Sequence, residues 1–300
     1  MYLYLCDKYD TKLDPTGIWL PGEEPGPGER ALIVRENIPK QQDEIRTSFK
    51  DGHFNVKDFM KIASRSDEVK SCLYRFEVPQ KEFMQKAKSS DASPYALVAA
   101  LMFRMVSKMM PERKLPIQAK LAHNFRQEAG VPNSTCDYLR QIYVRYPDSL
   151  IDAPLKKLCT ITRGQMILQM DPDLSIVDAH KILDRLEAVE AQPTLQEKIK
   201  YCAEHPGLSL ETKGTFIVSY TGQTDWGSLL PYIETEEAAT DGHLVMEILS
   251  IGDKFCLCLE QMLKGDEYKN AFAEELKKEG IPFTVSEQID KGLPFTEMPG

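Results

Sequence analysis

Histidine is the side chain best suited to moving a proton near neutral pH, and this 300-residue sequence has five, His53, His123, His180, His205 and His243, each isolated from the others. None lies beside a serine or cysteine in a nucleophile–base pattern, and none recurs at the helical spacing that would bring two imidazoles onto one metal. "KDGHF" and "TDGH" each set a histidine beside an Asp-Gly pair. Such pairs read first as turns, with His53 or His243 as a catalytic base the minority reading. "DPDLSIVDAHKI" starts like a calcium loop at Asp171 and Asp173, but Ile176 stands where the loop needs glycine and Ile182 where it needs glutamate. Asp173 is better read as a helix N-terminus, and no metal site is expected.

Seven cysteines at scattered positions suit reduced thiols better than a disulfide framework, and Cys256 and Cys258 fall two apart on a strand-like run, facing one side. The stretch "TFIVSYTGQTDWGSLLPYI" places Trp226, one of two tryptophans, just after a strand and a Gly-Gln-Thr-Asp turn. An aromatic plug anchoring a loop is the favoured reading of Trp226, ahead of ligand stacking. The glycines of "DPTGIWLPGEEPGPGE" are interleaved with prolines, which remove the backbone donors a phosphate cradle requires; the segment should run extended on the surface, pinned by Trp19.

The elements that must hold these residues follow from periodicity. "SCLYRFEVP" alternates as a strand ended by Pro79, and "QKEFMQKAKSS" is a short helix. "SPYALVAALMFRMVSKMM" opens with a serine N-cap and a proline in the first turn and is apolar nearly all round, so it belongs in the interior with its methionines as core filler. Strands follow around "LPIQAKLAH" and "YLRQIYVRY", and then helices near residues 153–170 and 176–190. The remainder reads as strands at 214–220, 244–250 and 255–260, a helix at 266–279 and a last strand in "IPFTV", with "IGDK" as a hairpin turn. The predicted class is α/β, a mixed sheet covered by helices. The first dozen residues look like the end of an apolar helix without an N-cap, with Leu3, Tyr4, Leu5 and Tyr9 giving its apolar face, and Tyr2, Leu3, Leu5 and Tyr9 are expected to await a partner.

Composition narrows the function classes. Hydrophobic content of 42% and charged content of 28% are those of a folded globular chain. The formal charge of -9 is spread without any basic block, which speaks against nucleic acid as a partner. No apolar run approaches the length needed to span a bilayer and no leader pattern opens the chain, so a cytoplasmic location is expected.

Several segments, in order, resemble the chloramphenicol acetyltransferase-like superfamily, in particular its alcohol acetyltransferases and the condensation domains of peptide synthetases. "SDASPYALVAALMFRMV" is similar to the buried helix that opens that family's second subdomain, and "LAHNFRQEAGVPNSTCDYLRQIYVRY" to a strand–turn–strand unit with Phe125-Arg126 at the turn. "VSYTGQTDWGSLLPYI" is similar to the Ser-Asn-Leu-Gly segment, and "DEYKNAFAEELKKEGIPF" to the terminal helix and strand. Asp137-Tyr138 and Tyr220 depart from the family pattern, where asparagines are usual.

What the resemblance implies is a coenzyme A-dependent acyltransferase-like fold, with residues 1–80 the tail of a first subdomain and 81–300 the second. The implied donor is acetyl-CoA or another acyl thioester, held as a substrate and not as a tightly bound cofactor, and the implied acceptor is a small alcohol or amine. By resemblance Asn124, Arg126, Ser219, Tyr220 and Trp226 lie nearest the tunnel between the subdomains, in supporting roles. The family's His-His-x-x-x-Asp-Gly motif, whose second histidine is the general base, occurs nowhere in this sequence. The expectation is therefore a truncated C-terminal portion, inactive alone, with the missing subdomain as a partner. A non-catalytic binding module that kept the fold is the alternative, and a base relocated to His123 or His243 is a third.

Overall fold

The computed structural model describes residues 2–9, 12–15, 22–24, 26–38, 72–135, 138–205, 214–223, 226–234, 244–261 and 265–290. Trp19, His53, Asp137 and His243, singled out above, lie outside them.

Strand periodicity is realised nearly as read. The strands are β1 (Cys72–Pro79), β2 (Ile117–Asn124), β3 (Leu139–Tyr146), β4 (Phe216–Gln223), β5 (Leu244–Ile251), β6 (Lys254–Gln261), β7 (Thr284–Val285) and β8 (Ile289–Asp290). They form one sheet in the order β3-β2-β4-β5-β6-β1-β7, with β8 also on β1. β2–β4 and β4–β5 are parallel pairs and the rest are antiparallel, so the C-terminal ends of β1, β2, β4 and β5 share one end of the sheet. The hairpin turn between β5 and β6 uses Gly252 at φ 56°, a left-handed conformation that glycine adopts without strain.

The helices are α1 (Tyr2–Lys8), α2 (Gln80–Ser89), α3 (Pro94–Met109), α4 (Leu155–Gln169), α5 (Pro172–Glu190), α6 (Leu195–Glu204) and α7 (Glu267–Lys278). In α3 the Ser93 side chain accepts from Ala96 N and Pro94 occupies the first turn, satisfying the helix start as its sequence suggests. Every residue of α3 from Ala96 to Ser107 is buried, because the helix lies on the sheet between α4 and α7. One face of the sheet thus becomes the main core, where Phe76, Val144, Tyr146, Val218, Ile248 and Leu257 cluster with the buried residues of the helices. Arg104 reaches out of that core to Glu279 at 2.5 Å and to the Ala153 carbonyl at 3.1 Å, which keeps its buried charge partnered.

The edge strand β3 is closed by side chains. Gln165 on α4 accepts from Arg145 N at 2.9 Å and donates to Arg145 O at 3.0 Å; Gln169, one turn on, makes the same two bonds with Tyr143 at 3.0 and 2.6 Å. Two primary amides four residues apart thus replace the missing neighbour strand.

Four differences from the sequence reading have local causes. β4 does not end at the Gly-Gln pair; it continues to Gln223 through an irregularity in its pairing with β5, where Gly222 has φ 85°. α5 begins four residues before the start that periodicity gave, in keeping with Asp173 as a helix N-terminus, because Asp171 accepts from Asp173 N and Pro172 fills the first turn. α6 went unread; its N-cap is Thr194, which accepts from Glu197 N and donates to the Glu197 carboxylate. Leu5 of α1, expected to await a partner, is buried against Leu13 and Leu229, whereas Leu3, Tyr4 and Tyr9 are exposed.

Candidate functional site at the open end of the sheet

β2 and β4 pair only from Ala119↔Phe216 to Leu121↔Val218, and both then run on without each other. Tyr95, in the first turn of α3, holds this split. Its hydroxyl accepts from Ala122 N at 2.6 Å and stands 3.0 and 2.9 Å from the carbonyls of Ala122 and Val218. Burial keeps this phenol protonated far above its ordinary pKa, so it is a fixed donor and acceptor, not a proton-transfer group. The Tyr220 ring rests against Tyr95 at 6.2 Å and Phe255 at 6.4 Å, on the helix-covered side. Burial raises its pKa as well.

Ser219, one residue earlier, faces the opposite side of the sheet, as strand alternation requires. Its neighbour across β4–β5 is Glu247. Glu247 is only 5% exposed. Burial pushes its pKa up, the nearby Ser219 hydroxyl partly opposes this, and Glu260 on the adjacent strand adds to the rise. Sequence reasoning missed Glu247; the available signal was one acidic residue inside the otherwise apolar "LVMEILSI".

Trp226 also lies on this second face. It packs on the cluster of Leu73, Leu249, Ile251, Cys256 and Cys258 and on that of Leu5, Leu13 and Leu229, joining the two. Its position is that of an anchor for the loop after β4.

At the end of β2 the side chains of His123 and Glu128 approach to 3.8 Å, and His123 pairs in register with Arg140 on β3. Burial lowers the pKa of His123; Glu128 works against this and Arg140 with it. Arg140 is itself held by Asp178 at 2.8 Å and by the Gln169 carbonyl. Asn124 is exposed and accepts from Arg126 N at 3.1 Å, while Arg126 donates to the Ser134 carbonyl at 2.7 Å, tying the loop after β2. That loop is clasped by residues 29–33: Thr135 N bonds Glu29 O at 2.7 Å, and Ile33 N bonds the Tyr138 hydroxyl at 3.0 Å.

The candidate residues are therefore divided. Tyr220, Asn124 and His123 stand at the ends of the strands that separate, Ser219 and Trp226 lie on the second face, and Arg126 sits in the loop. Among the described residues no three His, Cys, Asp or Glu side chains converge as metal ligands. A cleft of about 330 Å³ opens beside β1, lined by Val78, Pro79, Lys254, Pro282 and Phe283 among others, and none of the residues above lines it. No helix among the described residues is long and apolar enough to cross a membrane.

No protein-family model matches this chain, and no curated protein sequence does. Solved structures do. TRI101 of F. graminearum, complexed with coenzyme A and deoxynivalenol, superposes with a TM-score of 0.50 at 14% identity over 89% of this chain and 56% of that one. The epimerization domain from the third module of tyrocidine synthetase B gives 0.46 at 8% identity over 71% of this chain and 48% of that one. The condensation domain of the enacyloxin polyketide synthase gives 0.42 at 11% identity over 71% and 40%. This chain spans about half the length of the structures it matches. At this level of identity the likeness is one of fold: the chain shares the fold of about half of TRI101.

Proposed function

We propose that this chain is the C-terminal portion of an acyltransferase that moves an acyl group, acetyl in the first instance, from a coenzyme A thioester to an alcohol or amine. Residues 1–80 are the tail of a first subdomain and 81–300 the second, with β1 the strand that the first lends to the sheet of the second. The observation that carries the reading is the fold likeness to TRI101 bound to coenzyme A. It is supported by the open sheet end, where Tyr95 separates β2 from β4 beside Tyr220 and Asn124. Ser219, Tyr220, Trp226, Asn124 and Arg126 take supporting roles near the tunnel, Ser219 beside Glu247 on the next strand. Since the sequence lacks the His-His-x-x-x-Asp-Gly motif, the base acting on the acceptor belongs to the first subdomain, and this chain alone transfers no acyl group.

The test is to translate the DNA upstream of the Met1 codon in frame, express the longer product if it carries that motif, and follow thiol release from acetyl-CoA over a panel of alcohols and amines. Acceptor-dependent release by the longer product, and none by residues 1–300, is the expected result. Release by the 300-residue chain alone refutes its proposed inactivity, and a longer product with no release refutes the acyl-transfer reading.

A further inference from the structure

The turn after β2 brings together two buried polar atoms that nothing in the described structure satisfies. His123 Nε2 and Glu128 Oε2 are both withdrawn from solvent, and neither has a hydrogen-bond partner. The His123 and Glu128 side chains are 13% and 21% exposed, so the pair borders the surface without being open to it. Their closest approach, 3.8 Å from Nε2 to Oε1, is too long for a hydrogen bond and well inside the distance one bridging oxygen spans. The turn cannot simply collapse to close the gap. It is fixed by backbone bonds from Ala129 N to Phe125 O at 3.0 Å, Gly130 N to Gln127 O at 3.1 Å and Val131 N to Arg126 O at 2.9 Å. Nor is Arg140 free to swing in, since its guanidinium is held by Asp178 and the Gln169 carbonyl.

From this geometry, and resting on the acyl-transfer reading for its biological sense, we propose that His123 and Glu128 form a binding site for a hydroxyl group carried by the acceptor. A carboxylate beside Nε2 favours the imidazole tautomer that carries its proton there. The site therefore presents one donor, Nε2–H, and one acceptor, Glu128 Oε2. A hydroxyl complements both, because its oxygen accepts while its hydrogen donates. A methyl group in place of the hydroxyl would make neither bond. The site binds; it abstracts no proton, and the reacting group of the acceptor lies elsewhere on the molecule.

The experiment uses the 300-residue chain labelled with 13C-histidine, titrated with benzyl alcohol and separately with toluene, a matched pair differing only in the hydroxyl. His123 is assigned by the resonance lost in His123→Gln. Benzyl alcohol is expected to shift the His123 Hε1 signal saturably, toluene not. Glu128→Ala should weaken the alcohol about tenfold or more, the loss expected when one hydrogen bond to a charged group is removed, with Glu128→Gln retaining more of it. The absence of a saturable shift with the alcohol, or equal shifts with toluene, overturns the site, and either result needs only the unaltered protein. Thiol release by the longer product without the His123 shift sinks this site and leaves acyl transfer standing. The shift without thiol release does the reverse.

Discussion

Tyr95 and Glu247 carry the two clearest consequences at the level of single side chains. Tyr95→Phe keeps the ring packed against Tyr220 but leaves the partly buried Ala122 N–H without its acceptor. A stranded donor of this kind costs about 1–3 kcal/mol, to be read from the midpoint and slope of urea unfolding. Glu247 makes stability depend on pH in a definite direction. Its pKa in the folded protein is raised, so between the ordinary glutamate range and that raised value the folded state holds the proton more tightly than the unfolded chain. Stability from this group is fully present below the ordinary range and is lost as pH rises through the folded pKa. Glu247→Gln, which keeps the shape but does not ionise, should raise Tm at pH 8 and lose that advantage toward pH 4; a constant difference across this range contradicts the assignment.

Among the elements, α3 was the most legible from sequence, whereas β3 was legible as a strand but not in its place. A serine, a proline and an unbroken apolar run determine where α3 starts and that it is interior. The alternation of β3 marks it as half-buried, but its place at the sheet edge is visible only once Gln165 and Gln169 are seen paired with its backbone. Replacing both glutamines by alanine should free four backbone groups of Tyr143 and Arg145. The expected result is faster amide exchange at those two residues and concentration-dependent association through the opened edge. Unchanged exchange would show that the edge needs no such cover.

On the scale of the whole molecule, the exposed face of α1 and the length of the matched structures point the same way. Leu3 at 56% and Tyr4 at 61% exposure keep apolar surface in water, and the chain spans 56% of TRI101. Under the proposed function, a longer product should cover Leu3 and Tyr4. Hydrogen exchange across α1 should then be slower in it than in the 300-residue chain, and equal rates would count against a subdomain docking there.

By itself the sequence determined the order and kind of nearly every element, the interior helix, the β5–β6 hairpin and the absence of the family's histidine motif. These are legible because periodicity, caps and turn residues act within a few positions of one another. The tertiary structure alone decided the strand order, and with it which side chains meet. Tyr95 reaches the Val218 carbonyl across 123 positions, Glu247 stands beside Ser219, and Arg35 ties the N-terminal segment to Asp184 and Glu187 on α5. Alternation shows that Ser219 and Tyr220 face opposite ways but not which way each faces, since that depends on the side of the sheet α3 covers. Thr194 escaped notice because a ten-residue helix with no buried side chain leaves no apolar signature strong enough to mark it.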